Sequence, residues 1–153
     1  MFTPIIRVQE QDFSLQEEAG VLRGQASDTG ALVTFTGLVR DLDAGARVRG
    51  LFLEHYPGMT EKSLQAIAVE AAARWPLQGI TIIHRIGRLA AGDQIVFVGV
   101  TSAHRQAAFA ACEFMMDYLK TRAPFWKKSL GEDGDAWVEA NAGDTAASQR
   151  WEP

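Results

Sequence analysis

Two β-branched apolar runs, GITIIHRIG (79–87) and DQIVFVGVT (93–101), constrain the fold most, because only the turn-like RLAAGD separates them. They predict consecutive strands, and helical patterns flank them on both sides. Before them, Leu64, Ile67, Ala68, Ala71 and Trp75 recur at helical spacing until Pro76, with Pro57-Gly58 as the break and Thr60 as a cap. One face of that helix is expected to pack on the sheet. After them, Ser102 is placed as the N-cap of a second helix that runs to about Thr121, since Pro124 disfavours helix just before it.

Further strands are expected at ALVTFTGLVR (31–40) and RVRGLFLEHY (47–56), joined across DLDAGA as a hairpin with a longer loop. FWKKSLGEDGDAWVEA reads as a short hairpin that turns at GEDGD. The order β-β-α-β-β-α-β-β indicates one α+β domain over 1–153, with a mainly antiparallel sheet and packed helices. The acidic first thirty residues are expected to be peripheral, and the tail from 141 to 153 loosely held or docked by Trp151. No apolar run approaches the ~20 residues that span a bilayer, and MFTPIIRVQEQDF lacks the pattern of a secretory signal. The cytoplasm is the expected compartment.

Charge is segregated along the chain. Its formal net charge is −4, yet between 102 and 129 Arg105, Lys120, Arg122, Lys127 and Lys128 face only Glu113 and Asp117. That local excess of cations suggests an anion site, while the net charge argues against general nucleic-acid affinity. On the second helix His104, Ala108, Ala111, Met115 and Leu119 form the core stripe, and Arg105, Phe109, Met116 and Lys120 form another. Lys120 shares a stripe with Phe109 and Met116 either because its stem covers apolar surface or because its ammonium meets an anion. Lys127 and Lys128, beyond Pro124-Phe125-Trp126, can be turned back towards it.

Other candidates have plainer readings. Cys112, the single cysteine, lies mid-helix among Ala, Phe and Met, as a buried inert thiol does. His84 falls in phase with Ile80, Ile82 and Ile86, as a hydrogen-bonded core histidine does, and His55 could brace the turn in EHYPGM. His104 and Arg105 stand at a helix start, where free N–H groups favour anions. Arg40 ends a strand and can project into a cleft or pair with Asp41 or Asp43; Gly37 marks a bulge or a close backbone approach. The three histidines show no metal-ligand spacing with Cys112, and no P-loop, dinucleotide, HExxH or GxSxG motif occurs.

The segments TFTGLVR, LEHYPGMTEKSL, RWPL, IHRIG, VGVTSAHR, MDYLKTRAPFWKK and WVEA, in this order over about residues 30 to 140, resemble the large, catalytic subunit of molybdopterin synthase. The resemblance implies an α/β hammerhead fold and a sulfurtransferase. Such an enzyme takes sulfur from the thiocarboxylate at the Gly-Gly terminus of a small ubiquitin-like subunit and builds a dithiolene on cyclic pyranopterin monophosphate. It implies large subunits paired at the centre of a heterotetramer, and sulfur transfer without metal or dissociable cofactor. Lys120 and Lys127 match the catalytic lysines, and Phe35, Arg40, His104, Arg105 and Met116 fall on pocket positions. Asn141 stands where the resemblance leads one to expect a basic residue, with Lys128 as the alternative source of that contact. The competing expectations are a non-catalytic module for a ubiquitin-like tail or phosphorylated metabolite, and a solvated helix end.

Overall fold

A computed structural model describes residues 2–43, 46–131, 134–138 and 142–152. Its elements are β1 (Ile5–Gln9), α1 (Leu15–Arg23), β2 (Ala31–Leu38), β3 (Leu42–Asp43), β4 (Ala46–His55), α2 (Met59–Arg74) and β5 (Leu77–Arg85). There follow β6 (Gly87–Ala90), β7 (Gln94–Ser102), α3 (Arg105–Arg122), β8 (Phe125–Gly131), β9 (Gly134–Val138) and α4 (Ala142–Gln149). The α+β class and the mainly antiparallel pairing are as the sequence indicates. No helix among the described residues is long and apolar enough to cross a membrane.

The strands form two sheets. The first has the order β1-β5-β7-β2, with β1 parallel to β5 and the other pairs antiparallel. It is covered on both faces, which explains the unbroken apolar runs of its central strands. Ile80 and Ile82 of β5 and Val96, Val98 and Val100 of β7 pack with Leu64, Ile67 and Ala68 of α2 and with Ala108, Met115 and Leu119 of α3. On the opposite face Ile83 and Phe97 meet Leu22 of α1 and Phe13. The second sheet has the order β3-β4-β8-β9, and β6 also pairs with β4. Leu51, Leu53, Leu89 and Val39 form its own small core.

Three expectations change. The segments 31–40 and 47–56 are not a hairpin: β2 pairs with β7 of the first sheet, whereas β4 pairs with β8 in the second. The hairpin at this point is the short β3–β4 pair, Leu42 opposite Arg47 and Asp43 opposite Ala46. The first thirty residues contribute a strand and a helix, so they are part of the frame. Ser14 caps α1 by accepting from the Glu17 N–H at 3.2 Å. The RLAAGD connection also carries part of β6, which crosses to the second sheet.

The boundaries of α2 and α3 shift by a residue or more at their starts. α2 begins at Met59 after Gly58, whose φ of 85° is the left-handed conformation that glycine tolerates. Thr60 has another use: its Oγ1 accepts from Tyr56 N–H at 2.9 Å and donates to Pro124 O at 3.0 Å, tying two turns together. For α3 the N-cap position is His104, and Ser102 Oγ instead accepts from His104 N–H at 3.2 Å. The hairpin β8–β9 forms as read, with Gly131 opposite Gly134; Glu132 and Asp133 at its tip lie outside the described residues. In the tail, α4 leads to Trp151, which packs edge-on against Trp75 and Phe114 and donates to Asp117 at 2.7 Å.

Candidate functional site

A cleft of about 820 Å³ opens where the two sheets meet, walled by the end of β2, β5, the C-terminal turn of α3 and β8. Each wall delivers its side chains for a local reason. α3 runs continuously to Arg122, so Lys120 projects from its last turn, where the partial negative charge of the helix end favours a cation. Ala123 and Pro124 then end the helix, and β8 begins. Strand alternation sends Phe125 and Lys127 into the cleft, whereas Lys128 lies on the other side, 5.8 Å from the Trp137 ring. From β2 come Phe35 and Leu38, both substantially exposed, and just beyond it Arg40.

Gly37 lies between them at a register shift. That shift is the bulge read from the sequence, and a Cβ at Gly37 would stand 2.8 Å from the Val96 side chain at Cγ1.

The cation cluster therefore divides. Arg122 bonds Glu70 at 3.1 Å and lies 3.6 Å over the Tyr118 ring, which makes it part of the frame. Asp117, one helical turn before Lys120, is held by Arg150 at 2.8 Å and by Trp151. Those partners direct its charge away from the cleft. Phe35, Arg40, Lys120 and Lys127 are brought together; His104, Arg105, Met116 and Lys128 do not line this cleft. Met116 is half-buried against the main core, and His104 and Arg105 are exposed at the far end of α3. At 1.5 Å per residue they stand ~24 Å from Lys120 along the axis. Asn141 lies outside the described residues.

Two titratable lining residues were not marked as such by the sequence. Asp144, in the first turn of α4, reaches the cleft because the tail folds back. His84 is the core histidine expected of its phase, only 6% exposed, yet its ring also walls the cleft. Its Nδ1 bonds Arg85 O at 2.8 Å, and the ring stacks on Phe125 at 3.7 Å. Burial, above all, and then the nearby charges of Lys120 and His55, lower its pKa to about 4, against the pull of the Arg85 carbonyl. Alternation along β5 with Ile80 and Ile82 was a true signal of burial, and nothing in it distinguished a wall from an interior.

Cys112 is buried and its thiol is pushed up to about 12, chiefly by burial, so it stays protonated and inert. Among the described residues no three of His, Cys, Asp and Glu are grouped to hold a metal ion.

The family model described as MoaE protein matches residues 8–122. The chain is 59% identical over 147 residues to the molybdopterin synthase catalytic subunit of Vibrio cholerae, covering 96% of this chain and 97% of that one. The Escherichia coli protein of the same name is 58% identical, with 95% and 97% covered. Among solved structures, the molybdopterin biosynthesis MoaE protein from Burkholderia ambifaria superposes with a TM-score of 0.84 at 51% identity, over 98% of this chain and 99% of that one. A molybdopterin synthase chain from Staphylococcus aureus gives 0.80 at 33% identity, over 91% and 98%. The paired lysines thus sit within a likeness that runs almost from end to end, and the chain belongs to the MoaE family, that of the molybdopterin synthase catalytic subunits.

Proposed function

We propose that this chain transfers sulfur from the thiocarboxylate terminus of a small ubiquitin-like subunit to cyclic pyranopterin monophosphate, forming the molybdopterin dithiolene in the cytoplasm. The observation that carries this reading is the convergence of Lys120 and Lys127 in one cleft, from a helix end and from a strand. Donor and acceptor are both anions, and two ammonium groups offset the repulsion and desolvation of bringing them together. Lys120 is assigned to the donor's carboxyl end and to proton transfer, and Lys127 to charge that develops on the substrate. Arg40 is assigned to the pterin phosphate. The cleft volume lies within the range of small-molecule sites. Exposed Phe35 and Leu38 give its mouth an apolar rim suited to a protein tail. A Gly-Gly terminus fits such a passage because it carries no side chains.

His104 and Arg105 enter the reading through a second copy of the chain. A pterin cannot reach ~24 Å along one helix. These residues join the phosphate site only if a two-fold pair places one copy's α3 start beside the other copy's cleft. Mixing a His104→Ala/Arg105→Ala chain with a Lys120→Ala/Lys127→Ala chain should then restore part of the lost activity, since one pocket of each mixed dimer is intact. Mixed dimers confirmed by mass but without recovered activity refute the shared site.

The direct test supplies cyclic pyranopterin monophosphate and the thiocarboxylated small subunit and measures molybdopterin as its oxidised fluorescent derivative. Product supports the reading. Binding of both without product indicates the non-catalytic module instead.

A further inference from the structure

His84 and Lys120 form an unmatched pair across the cleft. A carbonyl oxygen only accepts, so the 2.8 Å contact with Arg85 O fixes the proton on Nδ1 and leaves Nε2 as a bare acceptor. Among the described residues no donor reaches Nε2, although the side chain is more than nine-tenths buried. Nε2 is not among the buried atoms left without a partner, which among the described residues are Thr81 Oγ1 and Thr101 Oγ1, so in a ring that walls the cleft it stays open to a donor there. Phe125 stacks on the ring within 19° at 3.7 Å and supports its plane. Lys120 lines the same cleft with a surplus of donors, and among the described residues none has an acceptor. Its charge is already felt at His84.

Resting on the sulfur-transfer reading above, we infer that His84 is a positioning residue for Lys120, its Nε2 accepting a hydrogen bond from the ammonium once the entering tail and substrate displace water from the cleft. A hydrated ammonium has acceptors in every direction. A dehydrated one has only those that the protein and its ligand provide, and His84 supplies the one that fixes its direction. The imidazole does not serve as the base. With a pKa of about 4 it holds a proton far less readily than an amine does, so it orients the ammonium without deprotonating it. Phe125 extends the arrangement, since the ring that clamps His84 lies two residues before Lys127 on β8. One stack thus fixes the acceptor for one lysine and anchors the strand that carries the other.

The test uses His84→Phe, which keeps an aromatic ring against Phe125 but has no Nε2, and His84→Gln, which returns an amide oxygen near that position. In the complete two-subunit assay His84→Phe should lower kcat about 10- to 100-fold with KM little changed. That is the range seen when an orienting partner behind a metal ligand is lost. His84→Gln should recover most of the rate. Independently of turnover, the ¹⁵N resonance of His84 Nε2 in the protein saturated with the small subunit should be that of a bare, hydrogen-bonded nitrogen, and Lys120→Ala should move it while Nδ1 stays. Wild-type kcat in a folded His84→Phe enzyme overturns the inference. So does an Nε2 resonance indifferent to Lys120, or equal loss in the Phe and Gln variants, either of which makes the residue structural. If the wild-type protein yields no molybdopterin, the functional reading fails, while the resonance still decides whether His84 and Lys120 pair.

Discussion

Acidification provides a quantitative test of how His84 is held. In the unfolded chain the imidazole takes up a proton below pH 6.5, whereas in the folded chain it does so only at about 4, because burial penalises the charged form and Lys120 and His55 add like charge. Between those values the unfolded state binds the extra proton, so stability must fall as the pH is lowered through this window and level off below it. At 1.36 kcal/mol per pH unit the loss from this one residue is about 3 kcal/mol. Carboxylates elsewhere, such as Asp12, whose pKa is lowered by its bonds to Gln94 and Phe13, weaken the fold in acid too, so the total drop is not diagnostic. The difference between proteins is. Urea unfolding of wild type and His84→Phe at pH 7 and pH 4.5, a pH that covers most but not all of the window, should show wild type losing about 2 kcal/mol more than the variant, with the slope m unchanged. Parallel losses in the two proteins would refute the claim that His84 is buried as a neutral ring.

Three further outcomes follow from named contacts. Lys120→Ala should lower kcat by 10² to 10³, about 3–4 kcal/mol by analogy with loss of one oxyanion donor, at unchanged thermal stability; an active, well-folded variant rejects the assignment. Gly37→Ala forces a Cβ against Val96 Cγ1 and should cost about 1–3 kcal/mol in urea unfolding, and adding Val96→Ala should return part of it. Trp151→Ala removes the ring packed on Trp75 and Phe114 and the bond to Asp117, and should destabilise the chain by about 2 kcal/mol; an unchanged urea midpoint would mean that the tail does not support the helices.

What the sequence disclosed follows the range over which each signal acts. Helical spacing and prolines are local, so α2 and α3 were legible to within a few residues, as were β5, β7 and the β8–β9 hairpin. Which strands pair is not local. β2 and β4 are neighbours in sequence, but β2 finds its partner some sixty residues later and enters the other sheet, a choice that no alternation pattern encodes. The first strand, IIRVQ, is short and followed by acidic residues, and its parallel pairing with β5 depends on a distant edge. α4, made of small polar residues, has little amphipathic signal and is secured by Trp151, the one tail residue marked as an anchor. At the site, strand alternation could separate Lys127 from Lys128 only once the start of β8 was known. His84 read correctly as core because a cleft wall and a core face have the same periodicity.

Lys120 and Lys127 belong to different layers. The first rides on α3, packed against the β5–β7–β2 sheet, and the second on β8 of the other sheet, with Ala123 and Pro124 between the two elements and the Thr60 hydroxyl bonded to the Pro124 carbonyl. The spacing of the two charges is therefore set by how the two layers pack on each other. An anion gripped by both ammonium groups becomes a crosslink between layers that the chain itself joins by a short tether. Leu53 of β4 and Leu119 of α3, which wall the cleft from the two layers, are packing positions through which a substitution would alter that spacing.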